Sequence, residues 1–382
     1  MNKLRNRGLI CLMMVMATAS AFALRHIGFE TDAFNRAFPT TFSKNAVFSP
    51  ASFEIDCAII AESLDTIPKA QVSERLGVVV DFESSYRPVL ETYATRTNGN
   101  YLVAARGFCV PEVFKASVAH RHYLERVYGV EVMPIWPNVG AESWFKATMD
   151  GEAEAFTLPK VEETARCYSF YDLISVSVAW KDPFPIANAR TLPFIGVDGS
   201  RVNRSFMADV REVDAWENDK FTLLKLPLHG DAVFYALLPN EGMELSVARK
   251  ALSSDRIDQL LAVTKSVTEL GVYHGPAAVV LPKIEICNRL EISATLGYFK
   301  IPLQGLIRVC NDLPPKSIAQ WMKFSLMENG RGMAALERKP AEEEVRMTAT
   351  TKRFIFNRPF LFFVYHEPTA TIPVAGQFTG KD

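Results

Sequence analysis

The chain has 382 residues, 48% of them hydrophobic and 22% charged, with a net charge of −1. That balance excludes a disordered or low-complexity protein and leaves enough apolar residues for a large packed core. It also lacks the basic excess that marks a nucleic-acid-binding surface, so no nucleic-acid partner is implied.

Lys3, Arg5 and Arg7 open the chain, followed by the apolar run Leu9 to Ala17 and the small-residue pattern Ala19-Ser20-Ala21, with Ala21-Phe22-Ala23 as a second pattern of the same kind. This order predicts a secretory signal peptide over residues 1–21 and a mature chain over 22–382, located outside the cytoplasm, extracellular or, in a bacterium, periplasmic. The run is shorter than the about 20 residues a membrane span needs, and no later stretch reaches that length, so no membrane partner is implied.

Helical spacing of apolar residues predicts helices over Ser52 to Leu64, with Ser49-Pro50 as cap and first turn, over Val118 to Tyr128, and over Ala141 to Phe156. Strand-like patterns follow: Leu173 to Val178, Phe221 to Leu226, Ala232 to Leu238, Val279 to Ile286 broken at Pro282, and Phe354 to Tyr365 broken at Pro359. Helices first and mainly antiparallel strands after, without strand–helix alternation, indicate an α+β fold. Between Met327 and Phe354 lies a stretch of different character, with Gly330, Gly332, Pro340, the run Glu342-Glu343-Glu344 and small polar residues up to Thr351. A connection of that length in a packed domain points to a functional loop.

Beyond the leader, the cysteines are Cys57, Cys109, Cys167, Cys287 and Cys310, odd in number and far apart. Without close pairs they read as small buried hydrophobes rather than a disulfide framework or a zinc site. His120 and His122 stand two apart, on opposite faces of a helix, which does not suit a shared metal. No G-x-S-x-G, H-E-x-x-H or phosphate-binding loop occurs, so no catalytic residue, metal or cofactor is implied and an enzyme is not expected. Gly330 to Ala335 formally matches the dinucleotide pattern G-x-G-x-x-A, but Pro340 would break the helix that must follow, and too little chain remains for the rest of such a sheet. Asn203-Arg204-Ser205 is a glycosylation sequon.

Four apolar blocks, in order, resemble those of the serpin family. Asn45 to Ser52 is similar to its N-x-x-F-S-P-x-S block, Trp180 to Phe184 to W-x-x-P-F, Leu281 to Ile284 to L-P-K-F, and Phe356 to Phe362 to F-N-R-P-F-L-F. The resemblance covers about residues 27–380. It implies one domain of three β-sheets with eight or nine helices, Trp180 at the top of the main sheet, and an exposed reactive loop between the strand ending at Met327 and the C-terminal strands. It departs from the family after the family's second helix, at Glu62 to Ile67, and before Trp180, at Leu173 to Val178.

The implied function is inhibition of a serine (or cysteine) protease. The protease cleaves the loop, and the cut loop inserts as a new strand of the main sheet. The hinge of that loop corresponds to Glu328, Gly330, Arg331, Gly332, Ala334 and Ala335, with Arg331 where the family has threonine. Strand alternation turns Arg331, Met333, Ala335, Glu337, Lys339 and Ala341 inward together, and Pro340 lacks the N–H a central strand uses. Those charges and that proline support the alternative, a non-inhibitory serpin-fold protein acting as a protease substrate, carrier or structural protein. Counting from Glu328 places the reactive bond at Glu344-Val345, and counting back from Pro359 places it near Thr348; between them Arg346-Met347 is the bond a trypsin-like protease would cut. The partner is then a target protease and the protein a monomer.

Overall fold

The structure, a computed structural model, describes residues 27–38, 43–78, 81–93, 96–97, 99–111, 116–134, 139–149, 152, 156, 166–263, 271–330 and 351–381. Nine α-helices lie among the described residues: α1 (27–37), α2 (Pro50–Ser63), α3 (Thr66–Leu76), α4 (Phe82–Thr92), α5 (Val118–Tyr128), α6 (Val139–Thr148), α7 (Leu245–Ala251), α8 (Ile257–Val263) and α9 (Ser293–Tyr298). The strands are β1 (Ala46–Phe48), β2 (Arg96–Thr97), β3 (Asn100–Val110), β4 (Val130–Pro134), β5 (Tyr168–Ser177), β6 (Arg190–Ile195), β7 (Arg201–Glu217) and β8 (Phe221–Pro227). They continue with β9 (Ala232–Pro239), β10 (Val272–Pro282), β11 (Ile284–Glu291), β12 (Pro315–Leu326), β13 (Lys352–Ile355), β14 (Phe360–His366) and β15 (Thr371–Phe378).

α2 starts where Ser49-Pro50 predicted. Ser49 Oγ accepts the Ser52 N–H at 3.2 Å, and Pro50 occupies the first turn, where its missing N–H costs nothing. Every residue of α2 is buried, so this is a helix enclosed on all sides rather than an amphipathic one. α5 coincides with the expected helix and ends on Gly129 at φ 66°. α6 corrects the expectation of a helix running to Phe156. It stops at Thr148, after which the Met149 N–H still reaches Phe145 O at 2.9 Å and the Glu152 N–H turns back to Met149 O at 3.0 Å.

Six strands form one sheet in the order β11-β12-β5-β3-β2, with β4 alongside β3. Its neighbours are antiparallel except β12–β5 and β3–β4, which are parallel. A second network has nine strands, in the order β1-β15-β14-β9-β8-β7-β10-β13, with β6 on β7. It divides at β7: residues 201–206 of that strand pair with β6, whereas 214–217 pair with β8 on the same edge. β6-β7-β10-β13 and β7-β8-β9-β14-β15-β1 are therefore two sheets sharing one long strand, and with the six-stranded sheet they make three.

α2 lies between layers: its Ser52 reaches Asp172 on β5, and its other side packs on β15. The main core fills this space with Phe48, Phe53, Ile59, Phe108, Phe170, Phe324 and Phe362 among others. On the outer face of the six-stranded sheet, α6 contributes Phe145 to a second cluster with Tyr101, Met149, Phe156, Leu173 and Trp321. Covered on both faces, β5 is buried from Tyr168 to Val176 and begins five residues before the alternating stretch expected at Leu173 to Val178. The expected breaks at Pro282 and Pro359 are real boundaries: Lys283 separates β10 from β11, which lie in different sheets, and Pro359 precedes β14. Cys57, Cys109 and Cys310 are buried, as expected of small hydrophobes, whereas Cys287 is exposed and Cys167 half-buried.

Candidate functional site

Of the two parallel joints in the six-stranded sheet, β5–β12 is the longer. Its ladder runs from Pro315↔Tyr168 to Ser325↔Ser177, with one register shift after Pro315. The seam is closed along this length, and the chain leaves it at the top through Met327, Glu328 and Gly330.

At the top, Trp180 is fully buried between Phe184 and Phe234, with ring centroids at 5.2 and 5.5 Å, both edge-on. Its indole N–H, which needs a partner once buried, donates to Met327 O at 2.8 Å. The Phe184 N–H donates to Glu328 O at 3.2 Å, so the segment from Trp180 to Phe184 holds the end of β12 by two main-chain acceptors. Arg211 of β7 locks that segment, stacking at 3.5 Å on Phe184 and donating to Asp182 O at 2.8 Å. Glu328 is buried, and Lys283, between β10 and β11, pairs with its carboxylate at 2.7 Å. Gly330 is needed for space. A Cβ there would lie 2.5 Å from the Ala179 methyl and 2.7 Å from the Gly99 carbonyl carbon. Asn100, at the head of β3, fixes the same corner: its side chain accepts the Ala179 N–H at 2.8 Å and donates to His229 O at 2.8 Å.

Beneath the seam lies a charged network. Asp172 on β5 and Gln320 on β12 are register partners, and Gln320 Nε2 donates to Asp172 Oδ2 at 3.3 Å. Gln320 also grips the cap of α2, accepting the Ser49 N–H at 2.7 Å and donating to Ser49 O at 3.3 Å. Ser52 donates to Asp172 Oδ2 at 2.6 Å, and Ser49 and Tyr93 share a hydrogen bond of 2.6 Å. Arg106 of β3 donates to Ser52 and places its Nε 3.2 Å from Asp172 Oδ1 and 3.5 Å from Asp56 Oδ1. Both acids are completely buried.

Two carboxyls share one guanidinium here. Burial, then repulsion from Asp172, pushes Asp56 well above the usual carboxylate range. Burial also raises Asp172, against the opposing pull of Arg106, Ser52 and Gln320. Asp56 Oδ1 and Oδ2 and Asp172 Oδ1 are buried without a hydrogen-bond donor on them among the described residues. One proton held by the Asp56–Asp172 pair would supply a donor there and leave a single negative charge to balance Arg106.

The outer face of the seam is bridged as well. Glu152, just past α6, accepts from Ser175 of β5 at 3.0 Å and from Lys323 of β12 at 3.0 Å. Ser175 and Lys323 are register partners on the face opposite Asp172 and Gln320. Among the described residues no group of three or more His, Cys, Asp or Glu side chains is arranged to hold a metal ion.

Of the residues singled out in the sequence, Trp180, Glu328 and Gly330 are brought together at the top of the seam. Arg331, Gly332, Ala334, Ala335, Glu344, Val345, Arg346 and Met347 lie outside the described residues. Sequence reasoning missed Arg106, Asp172, Gln320, Asp56 and Glu152. The signal for three of them was a polar residue set inside an apolar run: Asp56 in α2, Asp172 in β5 and Gln320 in β12. His120 faces inward and His122 outward on α5, as their spacing predicted; burial lowers His120 to about 4.

A family model described as Serpin (serine protease inhibitor) matches residues 27–380. Plasminogen activator inhibitor 1 of Neovison vison is 27% identical over 212 residues, 52% of this chain and 50% of that protein, so the chain matches about half the length of such curated relatives. A structure of native protease nexin-1 with heparin aligns at a TM-score of 0.78 with 18% identity, covering 94% of this chain and 99% of that one. Human thyroxine-binding globulin aligns at 0.77 with 16% identity, covering 94% and 98%. At such identities the structural likenesses speak for the fold alone. With the family model matched over nearly all of its length, the chain belongs to the serpin family.

Proposed function

We propose that this protein is a secreted, monomeric inhibitor of a serine (or cysteine) protease of trypsin-like specificity. In this reading residues 1–21 are removed as a signal peptide and residues 22–382 form one serpin domain. The loop after β12 is cut, with Arg346-Met347 as the reactive bond and Glu344-Val345 as the alternative, and the cut segment enters the β5–β12 seam. The protein takes no cofactor and catalyses no turnover of its own.

The observation that carries this reading is the closed parallel pair β5–β12, with the chain exiting at its top. A segment that turns back at Glu328-Asn329 runs antiparallel to β12, and therefore to β5. One parallel ladder is exchanged for two antiparallel ones, the more stable pairing per residue. Plasminogen activator inhibitor 1, by its name an inhibitor, supports the same assignment.

A specific observation also favours the second reading, a serpin-fold protein that does not inhibit. If the cut loop turned back through Glu328-Asn329 as a two-residue turn, Arg331 would stand opposite Leu326 and Glu337 opposite Gln320, and directly opposed residues share a face. Leu326 and Gln320 are both buried. Arg331 would then enter at Trp180, and Glu337 would bring a third carboxyl to Arg106. Thyroxine-binding globulin, named for what it binds, has the same fold.

The two readings separate on incubation with a trypsin-like protease. Inhibition gives a covalent complex that survives SDS and is lost in Arg346→Ala. Arg331→Thr with Glu337→Ala should raise the trapped fraction over the cleaved one. Cleavage without a complex in the wild type and in that double variant would refute inhibition.

A further inference from the structure

We infer that Glu152 is a clasp on the outer face of the six-stranded sheet, which must release before the β5–β12 seam can open. Neighbouring strands lie about 4.8 Å apart, and admitting one strand between them doubles that distance. Glu152 Oε2 takes Ser175 and Lys323 at 3.0 Å each, one from each side of the seam. The serine hydroxyl sits on a short stem that cannot follow a partner carried away with the other strand. Opening the seam therefore breaks at least one of the two bonds.

The clasp is built in rather than draped on the surface. Glu152 is only 10% exposed and its N–H is tied to Met149 O at 3.0 Å, with Met149 buried in the cluster that seats α6. Its partners stand next to Leu173 and Trp321, members of that same cluster. The carboxylate thus joins three elements: the end of α6, β5 and β12. Movement of α6 off the sheet and parting of the seam become one event. The inner network at Asp172 and Gln320 lies on the other face of the same strands, so the seam is closed from both sides.

The clasp deepens the loop-uptake reading and relies on it for its consequence, but seam opening can be read directly in the uncut protein. Hydrogen exchange is followed on peptides spanning β5 and β12, with β7 and β10 as internal reference. Glu152→Gln keeps the size and removes the charge; Lys323→Met removes the other partner. Each should speed exchange in the β5 and β12 peptides by roughly tenfold, the scale of one hydrogen bond to a charged group. The double variant should be no faster than either single one, because both remove the same contact. Exchange that is unchanged in both single variants, or that accelerates equally in β7 and β10, would overturn the clasp. If exchange accelerates as expected while a protein nicked in the loop never takes the loop up, the clasp stands and the loop-uptake reading falls.

Discussion

Replacing Arg106 by Met tests the charge balance beneath the seam. The side chain is 3% exposed and faces Asp172 and Asp56, each 0% exposed, at 3.2 and 3.5 Å. Methionine keeps the volume of the stem and adapts to the site, so the change removes chiefly the positive charge and the donors. An uncompensated buried carboxylate costs about 3–5 kcal/mol. Proton uptake limits that cost, because Asp172 can neutralise itself. Holding a proton at pH 7 on a group that ordinarily ionises near 3.9 costs about 4 kcal/mol, and at pH 5 about 1.5 kcal/mol. The loss should therefore depend on pH: about 4 kcal/mol at pH 7 and roughly half that or less at pH 5, apart from the packing change. Urea unfolding at the two pH values, read from the fluorescence of buried Trp180 and Trp321, measures it. An equal loss at both pH values, or one below about 1 kcal/mol at pH 7, would refute the reasoning.

Two further perturbations follow from the same geometry. Asp56 has its folded pKa raised, so its contribution is fully present below the unfolded value and is lost as pH rises through the folded one. Asp56→Asn holds the neutral, donating form at all pH values, so its stability relative to the wild type should climb from pH 5 to pH 8; a flat difference across that range would contradict a protonated Asp56. Gly330→Ala forces a methyl against Ala179 and the Gly99 carbonyl and should cost about 1–3 kcal/mol as overpacking. A neutral result in thermal unfolding would mean that the backbone at Gly330 yields without strain.

Where local chemistry decides, the elements could be read in advance. Ser49-Pro50 announced the start of α2, and Pro282 and Pro359 marked real strand boundaries. Trp180, Glu328 and Gly330 were legible as a group because blocks around them resemble a known family. What was not legible depends on partners distant in the chain. Asp172 meets Gln320, 148 residues away, and Arg106 meets Ser52 from 54 residues away. An isolated acid in an apolar strand signals that a partner exists and not which one. β5 failed to show its full length because α6 covers its outer face and abolishes the alternation that marks a half-buried strand. α6 itself was drawn too long because Phe156 continues the apolar spacing, although it joins the outer cluster from beyond the helix.

In the proposed function the β5–β12 seam accepts the loop that follows it. The direct measurement is the thermal midpoint of the intact protein against the same protein nicked once between residues 336 and 350. Loop uptake predicts a rise of tens of degrees, because the cut segment adds a central strand with two antiparallel ladders. An unchanged midpoint would contradict it and assign the protein to the non-inhibitory serpins, with Arg331, Glu337 and Pro340 keeping the loop out.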